Sequence, residues 1–496
     1  MITLLAPIIV PVLGALGYVV AGWRRSTAWV SAGSAVLVLA TAIATALDVA
    51  RSGPRTAIAG LLRVDALSAF MLIVIGAVAL LATIATPAFL RAEITAGRAT
   101  ARTATRHSVL VQLFLAAMAL AVLAANLGVV WVAIEATTIV TAFLVGQRRT
   151  RAAVEAAWKY VVICSAGIAL ALLGTIVLNY AASRAPGGAV GLDLAALAAN
   201  ASMLDSGVTR IAVVLLILGF GTKAGLAPLH AWLPDAHSQA PAPVSALMSG
   251  VLLSVAFYAI LRVKVIADGA LGTGFARTAL AVMAIASLLV AASLLLAQRD
   301  YKRMLAYSSI EHLGLVALGA AIGGPLALAA VLLHILGHGL AKGVLFLGAG
   351  RILQVTGTSR IGDDQGGVRG LAARHPVLAG CVGVGVLALI GLPPFSLFAS
   401  ELGIARAGFA AGMGWVTAAA LILVLVIAAV LVGHTSRMLL GTPPDGPGAA
   451  TTTRHLPWPT AIALVGGLLA CATLGVTAGP LSSLLHLAAD TLVGAR

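Results

Sequence analysis

The sequence predicts an all-α polytopic membrane protein with about 14 transmembrane helices, ten of them in two inverted five-helix repeats with breaks in helices 7 and 12. Three observations lead there. Only 9% of the 496 residues are charged and 61% are hydrophobic, a balance foreign to soluble domains. Fourteen apolar runs are long enough to span a bilayer. The few charges inside those runs recur at matched spacings.

The runs fall at 2–22, 29–49, 66–90, 108–126, 128–146, 158–180, 209–228, 242–261, 278–297, 305–323, 326–350, 376–409, 412–435 and 459–480. The first has no basic start and no Ala-x-Ala site, so it reads as a retained helix rather than a signal peptide. Asn126-Leu127-Gly128 is all that separates the fourth run from the fifth. The run at 376–409 is too long for one straight helix, and Pro393 and Pro394 within it should break it. Pro228 should break the seventh run in the same way, because proline removes a backbone donor. The chain then divides into an N-terminal three-helix segment (1–107), a first repeat (108–261), a second repeat (275–437) and a C-terminal helix (455–496). No long amphipathic helix is expected after the last run, which leaves sixteen residues.

The net charge of +15 does not point to nucleic acid, because the basic residues are spread over short loops between apolar runs. Loops after odd-numbered helices carry 18 of them, Arg454 included, and the opposite side carries 10. The positive-inside rule then places both termini on the non-cytoplasmic side of a cell (inner) membrane. Lys159, Lys223 and Lys342 remain, within or at the edges of helices. The chain has 26 arginines and five lysines, yet the basic residues in its apolar segments are all lysine. Arginine keeps its proton, whereas a buried lysine can release one.

The acids inside the apolar runs are Glu135, Glu311 and Glu401. Glu135 and Glu311 are 176 residues apart, Lys223 and Glu401 178. These pairs fall on the fifth and tenth and on the seventh and twelfth helices, the latter being the two broken ones. An odd number of spans separates equivalent helices, so the second copy must be inverted, as in many transporters.

Lys223 in its apolar run costs roughly 3 kcal/mol on insertion scales and is a functional candidate, the alternative being a helix end that snorkels. Glu135 is its opposite-charge partner. Lys159 can be a member of the same group or a snorkelling residue. His334, His338 and Lys342 recur at i, i+4 and i+8, on one helix face about 6 Å apart per step. Histidine titrates near neutral pH and passes protons either way. Two histidines four apart can also bind zinc, but no third ligand is evident, and a pair of satisfied core histidines is the plainer alternative. Glu311 and the adjacent His312 point to different faces, with Ser308 and Ser309 one turn away. His230, Asp235 and His237 either connect Lys223 to water or cap the irregular segment after it. Helix-breaking Pro228, Pro393 and Pro394 complete the set. Cys164, Cys381 and Cys471 have neither metal-ligand nor disulfide spacing. No catalytic nucleophile, metal set or cofactor motif is apparent.

The stretches Thr222–Leu253, Arg299–Gly314 and His334–Leu347 resemble the proton-conducting, antiporter-like membrane subunits of respiratory complex I, Mrp-type cation/proton antiporters and membrane-bound hydrogenases. WVAIEATT, AAWKYVVICSAGIALAL and SSIEHLG are most similar to the hydrogenase-4/formate hydrogenlyase branch of that family. The resemblance implies fourteen helices and two inverted repeats. It implies that Glu135 and Lys223 are the essential pair and that Glu401 is the charged residue of the second broken helix. Its function would be proton translocation, with sodium as the other candidate ion, driven by electron transfer in partner subunits that carry nickel–iron and iron–sulfur centres and a quinone site. Partners would be other antiporter-like subunits and a peripheral redox arm. A subunit of an Mrp-type antiporter and a non-conducting scaffold are the competing readings. One departure stands out: where the family often has a lysine on the eighth helix, this chain has Ser254.

Overall fold

The computed structural model describes residues 2–185, 191–362, 366–440 and 455–494, so Arg454 of the charge count lies outside the described residues. Thirteen described helices are long and apolar enough to cross a membrane. Two shorter helices, Pro376–Leu389 and Ser396–Ala410, occupy the place of the twelfth span. In order, the other spans are Ile2–Ala21, Val30–Ser52, Ala66–Thr95, Ala101–Leu123, Leu127–Val145, Arg151–Ser183, Ser206–Ala224, Ala242–Leu271, Thr273–Leu296, Tyr301–Ile322, Gly324–Thr356, Gly414–Leu440 and Trp458–Val476.

A helix leaves its first backbone N–H groups without partners, and polar caps supply them here. Asp65, Thr100, Asn126, Thr150, Asp205 and Asp300 each accept from the first turn of the third, fourth, fifth, sixth, seventh and tenth spans. The turn between the fourth and fifth spans is Ala124-Ala125-Asn126, and the Asn126 side chain accepts from Gly128 N at 2.8 Å.

Both expected breaks are present, but proline is not what stops the first helix. The seventh span ends at Ala224 because Gly225 turns into the left-handed region (φ 80°), three residues ahead of Pro228. Gly391 (φ 67°) begins the same turn in the twelfth span. The chain resumes as helix at Trp232–Gln239 and at Ser396–Ala410. The Ala227–Pro228 and Pro393–Pro394 peptides are both cis. Gly225 and Gly391 are 166 residues apart, as are Pro228 and Pro394. In that register Lys223 precedes its break and Glu401 follows its own, opposite Asp235. The 178-residue spacing of Lys223 and Glu401 therefore does not mark equivalent positions.

The eighth, tenth and eleventh spans form the interior, and nearly every residue of their most apolar stretches is buried. The eighth carries a π turn, Met248–Leu252, where it crosses the eleventh. A Cβ on Gly250 would meet Gly339 O at 2.9 Å, and one on Gly339 would meet Gly250 O at 2.7 Å. Only glycine on both sides permits that crossing. The thirteenth span instead presents Ile422 and Leu425 outward, as a lipid-facing helix does. Some elements among the described residues are not evident in the apolar pattern. They include the hairpin Arg55–Ala57 with Leu62–Val64, the short helices Leu194–Ala199 and Leu371–Arg374, and the helix Gly479–Val493, which packs on the third and eleventh spans. Cys164, Cys381 and Cys471 are buried free thiols.

Candidate functional site

Lys223 lies in the last turn of the first half-helix of the seventh span. That half-helix ends inside the protein, so the side chain cannot reach either surface and is wholly buried. Its Nζ donates to Thr138 Oγ1 at 2.9 Å and to the Tyr160 hydroxyl, and it lies 4.7 Å from the centre of the Tyr160 ring. Tyr160 in turn bonds to Thr141, whose hydroxyl donates to Thr137 O at 2.6 Å. The expected Glu135–Lys223 ion pair is not formed: hydroxyls of the fifth and sixth spans hold the lysine instead. Glu135 sits one turn from Thr138, and its buried Oε2 has no protein partner.

The lysines divide differently from their sequence positions. Lys159 is about half exposed and reaches Glu155 at 2.7 Å and Asp235 at 3.1 Å, so it is a surface residue. Lys302, which the apolar pattern assigns to a loop, is buried and donates to Ser238 O (2.6 Å) and Ala240 O (2.9 Å). These are carbonyls at the C-terminal end of the Trp232–Gln239 helix, the negative end of its dipole. Lys264 is also buried and pairs with Asp268 one turn away.

The segment after Lys223 splits in role. Asp235 is an ionic tie, holding Lys159 of the sixth span and Arg303 of the tenth, the latter at 2.6 Å. His230 is partly exposed in the break, with Nδ1 lacking a protein partner. His237 is wholly buried and stacks on Phe346 (ring centres 5.2 Å apart) and Trp232 (6.4 Å). Trp232 stands edge-on to Tyr160 at 5.0 Å and donates Nε1 to Thr222 O at 2.9 Å. Phe346 lies one turn beyond Lys342. The second half of the broken seventh span thus joins the surroundings of Lys223 to the eleventh span. Ser254, in the position where a lysine was expected, is buried and its hydroxyl has no protein partner. The eighth span meets the tenth through Ser249 in the π turn, 2.8 Å from Ser309.

The second group is continuous. Lys342 donates to Leu305 O at 2.6 Å and to Ser308 Oγ, and Glu311 lies one turn along the tenth span from Ser308. His338 is one turn before Lys342, and its ring lies 5.0 Å from that of His312. His312 Nδ1 is 3.0 Å from His334 Nε2, and His334 Nδ1 is 3.0 Å from Ser400 Oγ. Ser400 precedes Glu401, whose Oε1 is buried without a protein partner, as are Glu311 Oε2, His312 Nε2 and His338 Nε2. Glu311 and His312 do face different ways, but the tenth span is buried all round, so both side chains are buried. His312 is a member of the line that its sequence position gave no reason to include, and Tyr160 is another. The only available signal for either was a polar ring in a helix with no exposed face. Groups that gain and lose protons, packed in series across the tenth, eleventh and twelfth spans, can pass a proton from one to the next.

A family model described as NADH:quinone oxidoreductase/Mrp antiporter, TM, matches residues 124–427, which include every member of the line from Glu135 to Glu401. The chain is 43% identical over 304 residues to the hydrogenase-4 component F homolog of Methylacidiphilum infernorum (isolate V4), covering 60% of this chain and 62% of that protein. It therefore spans less than two thirds of that relative's length. A chain in the structure of the membrane-bound sulfane sulfur reductase, an archaeal respiratory membrane complex, superposes with a TM-score of 0.83 at 24% identity, covering 99% of this chain and 97% of that one. One in the Mrp complex from Dietzia sp. DQ12-45-1b does so with a TM-score of 0.82 at 22% identity, covering 99% and 98%. At such identities these likenesses establish the fold. The chain belongs to the NADH:quinone oxidoreductase/Mrp antiporter transmembrane family.

Proposed function

We propose that this chain is the proton-translocating membrane subunit of a redox-driven complex of the hydrogenase-4 and complex I type. The observation that carries the reading is the series Lys342, His338, His312, His334, Ser400 and Glu401, contiguous across the tenth, eleventh and twelfth spans and linked to Lys223 through the ring stack of Tyr160, Trp232, His237 and Phe346. A structural ion pair would use either cation, but these sites use lysine, which can release its proton. Hydroxyls rather than a carboxylate hold Lys223, so both its protonated and neutral forms find a partner there. The two broken spans support a reading as paired, inverted repeats over 108–261 and 275–437. The basic loops support non-cytoplasmic termini in an inner membrane. Redox centres, nickel–iron and iron–sulfur, belong to partner subunits of a peripheral arm in this account, beside other antiporter-like membrane subunits.

Substrate-driven acidification of liposomes containing the intact complex tests this. Lys223→Ala and Glu135→Gln should each lower proton translocation at least about 100-fold, the scale of a lost proton-transfer group. Unchanged translocation by assembled variants would refute a conducting role. The likeness to the Mrp complex keeps an antiporter without a redox partner as the competitor. A purified complex lacking both nickel and iron would decide for that competitor.

A further inference from the structure

His334 and His338 lack a third metal ligand along the sequence, but the fold brings to His334 one ligand from each of two neighbouring spans. We propose that His312, His334 and Glu401 form a binding site for a zinc-class divalent cation at the joint of the tenth, eleventh and twelfth spans. One ligand atom from each residue lies within 4.8 Å of the others. His312 Nδ1 and His334 Nε2 are 3.0 Å apart. A zinc ion about 2.1 Å from each nitrogen and from a carboxylate oxygen needs only small side-chain shifts from this arrangement.

The surroundings fix the ligands as a metal site requires. The Ser400 hydroxyl donates to Leu397 O at 2.9 Å, so toward His334 it accepts, and Nδ1 of His334 carries the proton. The lone pair of neutral His334 is then on Nε2, directed into the site. Ligating histidines are held in this way by an acceptor behind them. His312 has its Nε2 without a protein partner, so it can carry its proton there and turn the Nδ1 lone pair toward the same point. The His312 proton thus moves from Nδ1, where it is donated to His334 Nε2 without the metal, to Nε2, so both imidazoles stay neutral and no net proton is released. Glu401 is delivered by the break: a Cβ at Gly391 would lie 2.3 Å from its Oε2, so only glycine leaves room for the carboxylate. Its Oε1, buried without a protein partner, remains for the metal. Two imidazoles and one carboxylate favour zinc over sodium, magnesium or calcium, which prefer all-oxygen sites. A fourth position stays open to water. Binding as such does not depend on the proposed function. Its consequence does: a cation held here ties up three groups of the proton line and stops translocation.

The test is equilibrium dialysis of the intact complex against radioactive zinc, at rest, with no substrate. Wild type should retain zinc that is weakened at least about tenfold by Glu401→Gln and by Ser400→Ala, and lost in His312→Asn. X-ray absorption at the zinc edge should show nitrogen and oxygen neighbours only. Equal zinc binding by wild type and the Glu401→Gln variant, which keeps shape and volume, overturns the site. Zinc that binds as expected but leaves proton translocation by wild type intact upholds the site and instead contradicts the conducting role.

Discussion

At the scale of single residues, the proposed proton movement rests on buried side chains that can change charge. Lys223 and Glu401 were legible because a charge inside an apolar run is costly and has few structural uses. Tyr160 and His312 were not, because an aromatic or imidazole ring in an apolar helix reads as ordinary packing until its neighbours are known. Lys302 was misplaced because it lies near the end of a run, where a lysine normally reaches the surface. Lys223→Arg keeps the charge and removes the ability to release it, so translocation should fail in a variant that still assembles, measured by liposome acidification. Tyr160→Phe removes the hydroxyl that accepts from Lys223 and should slow translocation without abolishing it, since Thr138 remains at 2.9 Å.

At the scale of elements, helices break and cross where glycine permits. Proline signalled both breaks correctly, but the seventh span stops three residues earlier, at a left-handed glycine whose conformation no apolar pattern reveals. The π turn at Met248–Leu252 was equally hidden, because it depends on the backbone of the eleventh span pressing against Gly250. Gly250→Leu would force those backbones apart. It should destabilise the protein by roughly 1–3 kcal/mol or more, seen as a lower melting temperature in detergent. Arg262 reaches Asp65 at 2.7 Å with both side chains largely buried. Arg262→Ala leaves a buried carboxylate uncompensated and should cost about 3–5 kcal/mol by the same measurement.

At the scale of the whole molecule, composition alone revealed a bundle of about fourteen spans, since apolar length is the one property a bilayer demands of every helix. Which helices form the interior was not written there. The eighth, tenth and eleventh runs are no more apolar than the lipid-facing thirteenth, and only packing distinguishes them. That packing sets the polar line at the centre of the bundle, away from lipid. The measurement that bears most directly on a conducting role is the number of protons translocated per electron pair by the intact complex in sealed vesicles, wild type against Lys342→Ala. The ratio should fall in the fully assembled variant, because Lys342 begins the series that runs through His338, His312 and His334 to Glu401. A ratio equal to that of wild type would contradict that role.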